Sequence, residues 1–166
     1  MKPARLGKGT VIGGNVKFGK GVSVWNLVYI GDNTRLGDNV SIGSLVHIDY
    51  DVRIGANTRI EGSVYIPPKT KIGKNVFVGP AAVITNDPYP TSKRMVGVTV
   101  EDGAVIGGGS VIKAGVTIGK NSVVAMGAVV TKDVPPGVAV LGFPASVVYA
   151  RKEYDAKKRD WESDRP

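Results

Sequence analysis

The chain has 166 residues, 42% of them hydrophobic, which suits a single folded domain. It has no Cys and one His, which excludes disulfides, a thiol nucleophile and a three-histidine zinc site. A net charge of +8 favours anionic partners, and the scarcity of aromatic residues points to phosphorylated small molecules rather than nucleic acid.

The first residues, Met1 to Arg5, lead into Gly and Lys rather than an apolar run. No apolar stretch approaches the length of a membrane span, so the expectation is a cytoplasmic protein without membrane contact. Residues 1–11 precede the repeat and are expected to cover its open end, where an unpaired strand edge invites addition.

From Ile12 onward, every sixth residue is apolar: Ile12, Phe18, Val24, Ile30, Leu36, Ile42, Ile48, Ile54, Ile60, Ile66, Ile72, Val78 and Ile84. The series resumes at Val100 and continues through Ile106, Ile112, Ile118, Val124 and Val130. A period of six fits neither the 3.6 of an α-helix nor a heptad, but it is a multiple of the strand period. The third place after each start holds Asn or Gly in most repeats, as at Asn15, Asn33, Asn57, Gly109 and Gly127. Both residues tolerate positive φ, so the chain is expected to turn there. Hexapeptide periodicity predicts a parallel β-helix in which three hexads close one triangular coil of 18 residues, with about six coils in all.

The residue before each start points outward, and residues 18 apart stack. Lys17, Arg35, Arg53 and Lys71 form a basic column, read as a solvated face or a strip for phosphate. Ser23, Ser41, Arg59 and Phe77 form a second column. Tyr29, His47, Tyr65 and Val83 form an uncharged third, the candidate subunit interface.

Residues 85–99 break the repeat with Pro88 and Pro90, which prevent a regular strand. An insertion in a solenoid commonly lies on its binding face, so this stretch is expected to be an extruded functional loop. The repeat ends within residues 131–145, where a final short strand is expected. Residues 146–166 form a C-terminal extension with a helix from Ser146, its predicted N-cap. Val147, Ala150, Tyr154 and Trp161 would line the packing stripe of that helix.

The repeat Ile42-Gly43-Ser44-Leu45-Val46-His47 resembles those of the hexapeptide-repeat acyltransferases. That resemblance covers about residues 10 to 145 and implies a left-handed parallel β-helix, an all-β fold. Three further stretches narrow it: Ser23 to Ile30, Val78-Gly79-Pro80 with Thr85-Asn86, and Gly127 to Pro136 followed by Gly142-Phe143-Pro144-Ala145. They resemble acetyl-CoA-dependent N-acetyltransferases of nucleotide-linked amino sugars. The resemblance implies acetyl transfer from acetyl-CoA to a sugar amine, by a homotrimer with each site between neighbouring subunits.

Asn86 matches the Asn of those enzymes, where its amide can orient the amine or donate to an oxyanion. Asp87 stands where sugar O-acetyltransferases often carry a His, and it can accept a proton or pair with an ammonium. His47 is the one imidazole available as a base. Tyr29 and Tyr65 are candidate substrate contacts. For the cofactor, the resemblance carries over to Gly108 and Met126 on the pantetheine arm and to Thr131 and Lys132 near the nucleotide. The basic residue usual after the Gly-x-Pro-Ala turn is Ser146 here, a place that Arg151 can compensate. An O-acetyltransferase and a non-catalytic scaffold are the competing readings.

Overall fold

The computed structural model describes residues 4–164. Those residues form a parallel β-solenoid of two-residue strands, followed by an antiparallel strand and one helix. Rungs 18 residues apart pair in register along three faces: Ser23 opposes Ser41, Tyr29 opposes His47, and Arg35 opposes Arg53.

Face A starts at Arg5–Leu6 and runs through Ser23–Val24, Ser41–Ile42, Arg59–Ile60, Phe77–Val78, Val105–Ile106 and Val123–Val124 to Val138–Gly142. Face B carries Val11–Ile12, Tyr29–Ile30, His47–Ile48, Tyr65–Ile66, Val83–Ile84, Val111–Ile112 and Val129–Val130. Face C carries Lys17–Phe18, Arg35–Leu36, Arg53–Ile54, Lys71–Ile72, Thr99–Val100 and Thr117–Ile118.

The solenoid is longer than the six coils expected. Arg5–Leu6 pairs with Ser23–Val24, so the lead-in adds a rung instead of covering the end. Val138–Gly142 adds another by pairing with Val123–Val124. Leu6 stands six before Ile12 and continues the series, so the first extra rung follows the same period, whereas Pro135 and Pro136 shift the last one out of it. The lead-in expectation for residues 1–3 lies outside the described residues.

The second residue of each rung points inward. Ile30, Ile42, Ile48, Ile66, Ile84, Ile106, Ile112 and Ile118 are fully buried. Each contributes roughly 1.5–3 kcal/mol by leaving water. The turns hold the expected left-handed conformation at Asn15, Asn33, Asn39, Asn57, Asn75 and Asn121. Leu27, Leu45, Asp51, Ser63, Lys69 and Ala81 hold it as well, although all but Asp51 carry side chains that disfavour it. Four of these six, Leu27, Leu45, Ser63 and Ala81, occupy the corner between faces A and B.

The C-terminus departs from expectation. Ser146 lies in the strand Ala145–Ala150, which pairs antiparallel with Val138–Gly142. The helix spans Arg151–Ser163, and its N-cap is Ala150, which makes no side-chain cap bond. Strand pairing with the last rung claims Ser146 before a helix can start there. Val147 and Trp161 are exposed, and no helix residue is fully buried. What anchors the helix is Arg151, which donates to the carbonyls of Gly103 and Asn121 and pairs with Asp155 at 2.8 Å. Its guanidinium is therefore committed to the fold and not free for a phosphate. Among the described residues, no helix is long and apolar enough to cross a membrane.

The register predicts opposite outcomes at adjacent residues. Ile54→Asp places an unpaired carboxylate in the core and should cost at least about 3 kcal/mol. Arg53→Ala, on the outside of the same rung, should change stability by less than about 0.5 kcal/mol. Denaturant unfolding followed by circular dichroism measures both, and the reverse order would move the register by one residue.

Candidate active site

The loop leaves the solenoid after Val83–Ile84 and rejoins it at Thr99–Val100. It springs from the corner between faces B and C. Thr85 fixes its base to the next coil: its hydroxyl donates to the Ile112 carbonyl and accepts the Ala114 N–H at 2.9 Å. The Val96 N–H donates to the Asn86 carbonyl and closes the loop on itself. Loop departure carries a penalty. Thr34 and Thr58 each donate to a carbonyl 15 residues ahead, at Asp49 and Gly73. The same offset from Thr70 reaches Thr85, where the chain leaves the coil, and the buried Thr70 hydroxyl finds no partner among the described residues.

Asp87 organises the loop. One carboxylate oxygen accepts the Tyr89 N–H at 2.8 Å and the other accepts the Ser92 N–H at 2.7 Å. Among the described residues, the Asn86 side-chain amide donates only to the Met95 sulfur, at 3.1 Å, a weak acceptor. The loop therefore presents an amide with donor capacity to spare beside a carboxylate that is already engaged.

His47 lies on face B in an aromatic stack. Its ring is 4.7 Å from Tyr29 and 5.6 Å from Tyr65. The Tyr65 hydroxyl donates to Asp49 at 2.8 Å, and the other Asp49 oxygen is 3.5 Å from His47 Nε2. His47 is half-exposed. Asp49 escaped the sequence reading because it occupies a turn place where Asp, Asn and Gly are all ordinary. Its rung lies two coils from Asn86, about 10 Å along the solenoid. Among the described residues, no three His, Cys, Asp or Glu side chains gather as a metal site.

The four candidate cofactor residues occupy two different corners. Gly108 and Met126 lie on the corner between faces A and B, joined through the Gly127 N–H to the Gly108 carbonyl at 2.9 Å. A Cβ at the neighbouring Gly107 would collide with the Met126 backbone, so only Gly permits this stacking. Beside them is a groove of about 460 Å³ with an apolar floor of Phe77, Val105 and Val123, walled by Leu141, Tyr149 and Tyr154. Thr131 and Lys132 lie on the corner between faces B and C, two coils beyond the loop. On one protomer, the width of face B separates the two pairs.

Tyr65 provides a measurable signature of the aromatic cluster. Burial, the hydrogen bond it donates to Asp49 and the Asp49 charge push its phenol up to about 12. Unfolded, the phenol titrates near 10. The raised value favours the folded state below pH 10, and that advantage is lost as pH rises from 10 to 12. Phenolate absorbance, compared with Tyr65→Phe, should show this titration near 12, and Asp49→Asn should lower it. Ionisation of Tyr65 near 10 would contradict the contact.

Family models match two parts of the chain: a bacterial transferase hexapeptide over residues 51–86 and a hexapeptide repeat of succinyl-transferase over residues 95–132. Curated protein sequences give no match. Among solved structures, the chain is similar to a hexapeptide-repeat containing acetyltransferase of Vibrio cholerae O1 biovar eltor, determined with acetyl coenzyme A. Identity is 30% over 73% of this chain and 69% of that one, with a TM-score of 0.58. Two others share the fold. The UDP-N-acetylglucosamine acyltransferase of Campylobacter jejuni is 18% identical over 96% of this chain and 79% of that one, with a TM-score of 0.58. A maltose O-acetyltransferase of Clostridium difficile 630 is 24% identical over 88% and 68%, with a TM-score of 0.50. With its two blocks of hexads, its paired rungs and this relative from Vibrio cholerae, the chain belongs to the hexapeptide-repeat acyltransferases.

Proposed function

We propose that the chain moves an acetyl group from acetyl-CoA to the amine of a nucleotide-linked amino sugar, as a homotrimer with each site between two protomers. The observation that carries an amine acceptor is the state of the loop. Both oxygens of Asp87 are held by backbone N–H groups, whereas the Asn86 amide keeps donor capacity. A hydroxyl needs a base to become a nucleophile, but an amine attacks through its neutral fraction. The relative solved with acetyl coenzyme A supports the donor. The three motifs shared with the amino-sugar enzymes support the acceptor class.

In this reading, the apolar groove beside Gly108 and Met126 takes the uncharged pantetheine arm, and Lys132 serves as a flexible cation for a phosphate. Face B presents Tyr29, His47, Tyr65, Val83, Val111 and Val129 outward, with no Lys, Arg, Asp or Glu in that column, and suits a subunit contact. Packing about a threefold axis on that face would bring the A–B corner of one protomer to the B–C corner of the next. The divided cofactor set would then be completed in trans.

The amine lone pair attacks the thioester carbonyl carbon, and the carbonyl oxygen becomes an oxyanion. Asn86 Nδ2 donates to that oxyanion. Collapse breaks the carbon–sulfur bond, coenzyme A leaves as thiolate, and the new amide nitrogen gives up its proton to the thiolate or to water. Asp87 holds the loop that carries Asn86. Tyr29 and Tyr65 border the site on face B.

A hydroxyl acceptor is the second reading, favoured by the approach of His47 to Asp49. Coenzyme A release distinguishes the two. The chain has no Cys, so a thiol-reactive dye reads that release without protein background. With nucleotide-linked amino sugars, Asn86→Ala should lower kcat about 100-fold, and His47→Ala should lower it less. Loss of activity in His47→Asn with an unchanged Asn86→Ala would install the His-base mechanism instead.

A further inference from the structure

We propose that a hollow on face A, between Trp25 and Arg59, is the nucleotide subsite of the acceptor. Trp25 stacks on the base and Arg59 pairs with the diphosphate. This inference rests on the nucleotide-linked acceptor proposed above.

The outward column of face A reads Arg5, Ser23, Ser41, Arg59, Phe77. The two serines leave a trough between longer side chains. Its deeper part is a hollow of about 520 Å³, bordered by Trp25, Ser41, Ser44, Arg59 and Glu61. That volume lies within the usual range for small-ligand sites. Trp25 is 59% exposed, so its ring offers an open stacking surface.

Arg59 is poised for a phosphate. Its Nε pairs with Glu61, which holds the guanidinium from one side. The terminal nitrogens make no hydrogen bond among the described residues, and they form the fork that grips phosphate oxygens. Ser41 and Ser44 add hydroxyls beneath it.

The adjoining corner carries two further marks of a contact surface. Leu27 and Leu45 hold left-handed backbone at φ 57° and 62°, and each side chain is more than half exposed. The corner between faces C and A solves the same turn with Asn39, Asn57 and Asn75. Leucine is disfavoured there both by backbone geometry and by solvent, so contact with something else accounts for its use.

Coil height sets the order of the parts. Trp25 stands two rungs from Arg59, about 10 Å along the solenoid. One further rung reaches Phe77, in the coil that also extrudes the loop with Asn86. Base, diphosphate and sugar amine follow in that order, and the amine arrives at the height of Asn86. The apolar groove begins at Phe77, so donor and acceptor sites meet end to end.

Trp25 and Trp161 are the chain's two tryptophans, so Trp161→Phe leaves Trp25 as the sole reporter. ADP, CDP, GDP, UDP and dTDP are titrated against that variant. At least one should quench Trp25 emission. Trp25→Leu and Arg59→Met should each weaken its binding about tenfold or more by calorimetry, with acetyl-CoA binding and oligomer mass unchanged. With an accepted nucleotide-linked sugar, both variants should raise KM far more than they lower kcat. Turnover with unchanged KM in both would overturn the subsite while leaving the acceptor class standing. Loss of the oligomer in Trp25→Leu, with nucleotide binding intact, would make the hollow a subunit contact and overturn it as well. No binding of any nucleoside diphosphate and no turnover with nucleotide-linked amines, while acetyl-CoA still binds, would remove the acceptor class and the subsite together.

Discussion

Backbone hydrogen bonds between coils govern this molecule. Within each block of repeats, a rung spends its N–H and C=O groups on the rungs 18 residues before and after it, as when the Gly31 N–H meets the Ile48 carbonyl and the Gly37 N–H meets the Ile54 carbonyl; across the loop the spacing widens, and Phe77 opposes Val105. A shift of one residue would turn every inward Ile outward and every outward Arg into the core. Register, burial and column chemistry are therefore one constraint. Within each block of repeats the position of a residue modulo 18 fixes its face, the loop resets that count, and the coil number fixes the height. Candidate site residues far apart in sequence are placed by that arithmetic alone: Gly108 sits against Met126, and His47 between Tyr29 and Tyr65.

This is why so much was legible beforehand. Inward positions, turn conformations and outward columns all follow from a repeat that needs no tertiary knowledge. Reading failed where the repeat stops. Leu6 continues the hexads, but at an open end it is exposed, so nothing in its burial marks the rung. Ser146 has the right chemistry to cap a helix, yet pairing with the last rung keeps it in a strand. Arg151 looked like a spare cation, and the fold uses it to tie the helix to two backbone carbonyls. Each miss involves a contact that periodicity does not encode. The candidate site was named residue by residue, but the relation between those residues was not legible. Nothing in the sequence said that Asp87 would be spent on two loop amides, or that Asp49 would join Tyr65 and His47.

The one break in the solenoid is also the place where the structure accepts a penalty. An orphaned Thr70 hydroxyl, buried at the level of the loop, costs about 1–3 kcal/mol, and a regular hexad would have avoided it. In return, Asn86 projects from the corner between faces B and C. The apolar groove and the Trp25 hollow lie along the corner between faces A and B, at coil heights on either side of the loop. A single protomer holds these features on opposite sides of face B. In the proposed trimer, a second protomer packed against that face would bring them together, and assembly would then be part of the chemistry rather than a support for it.

Hybrid oligomers test that claim most directly. Asn86→Ala disables the loop side, and Val105→Arg fills the floor of the groove. Each variant alone should be inactive while remaining assembled. Co-expressed with different tags and purified as mixed trimers, the two should recover about a third of wild-type activity, because every mixed trimer has one of its three sites built from one intact half of each. Mixed trimers as inactive as their parents would contradict a shared site and confine the reaction to one protomer.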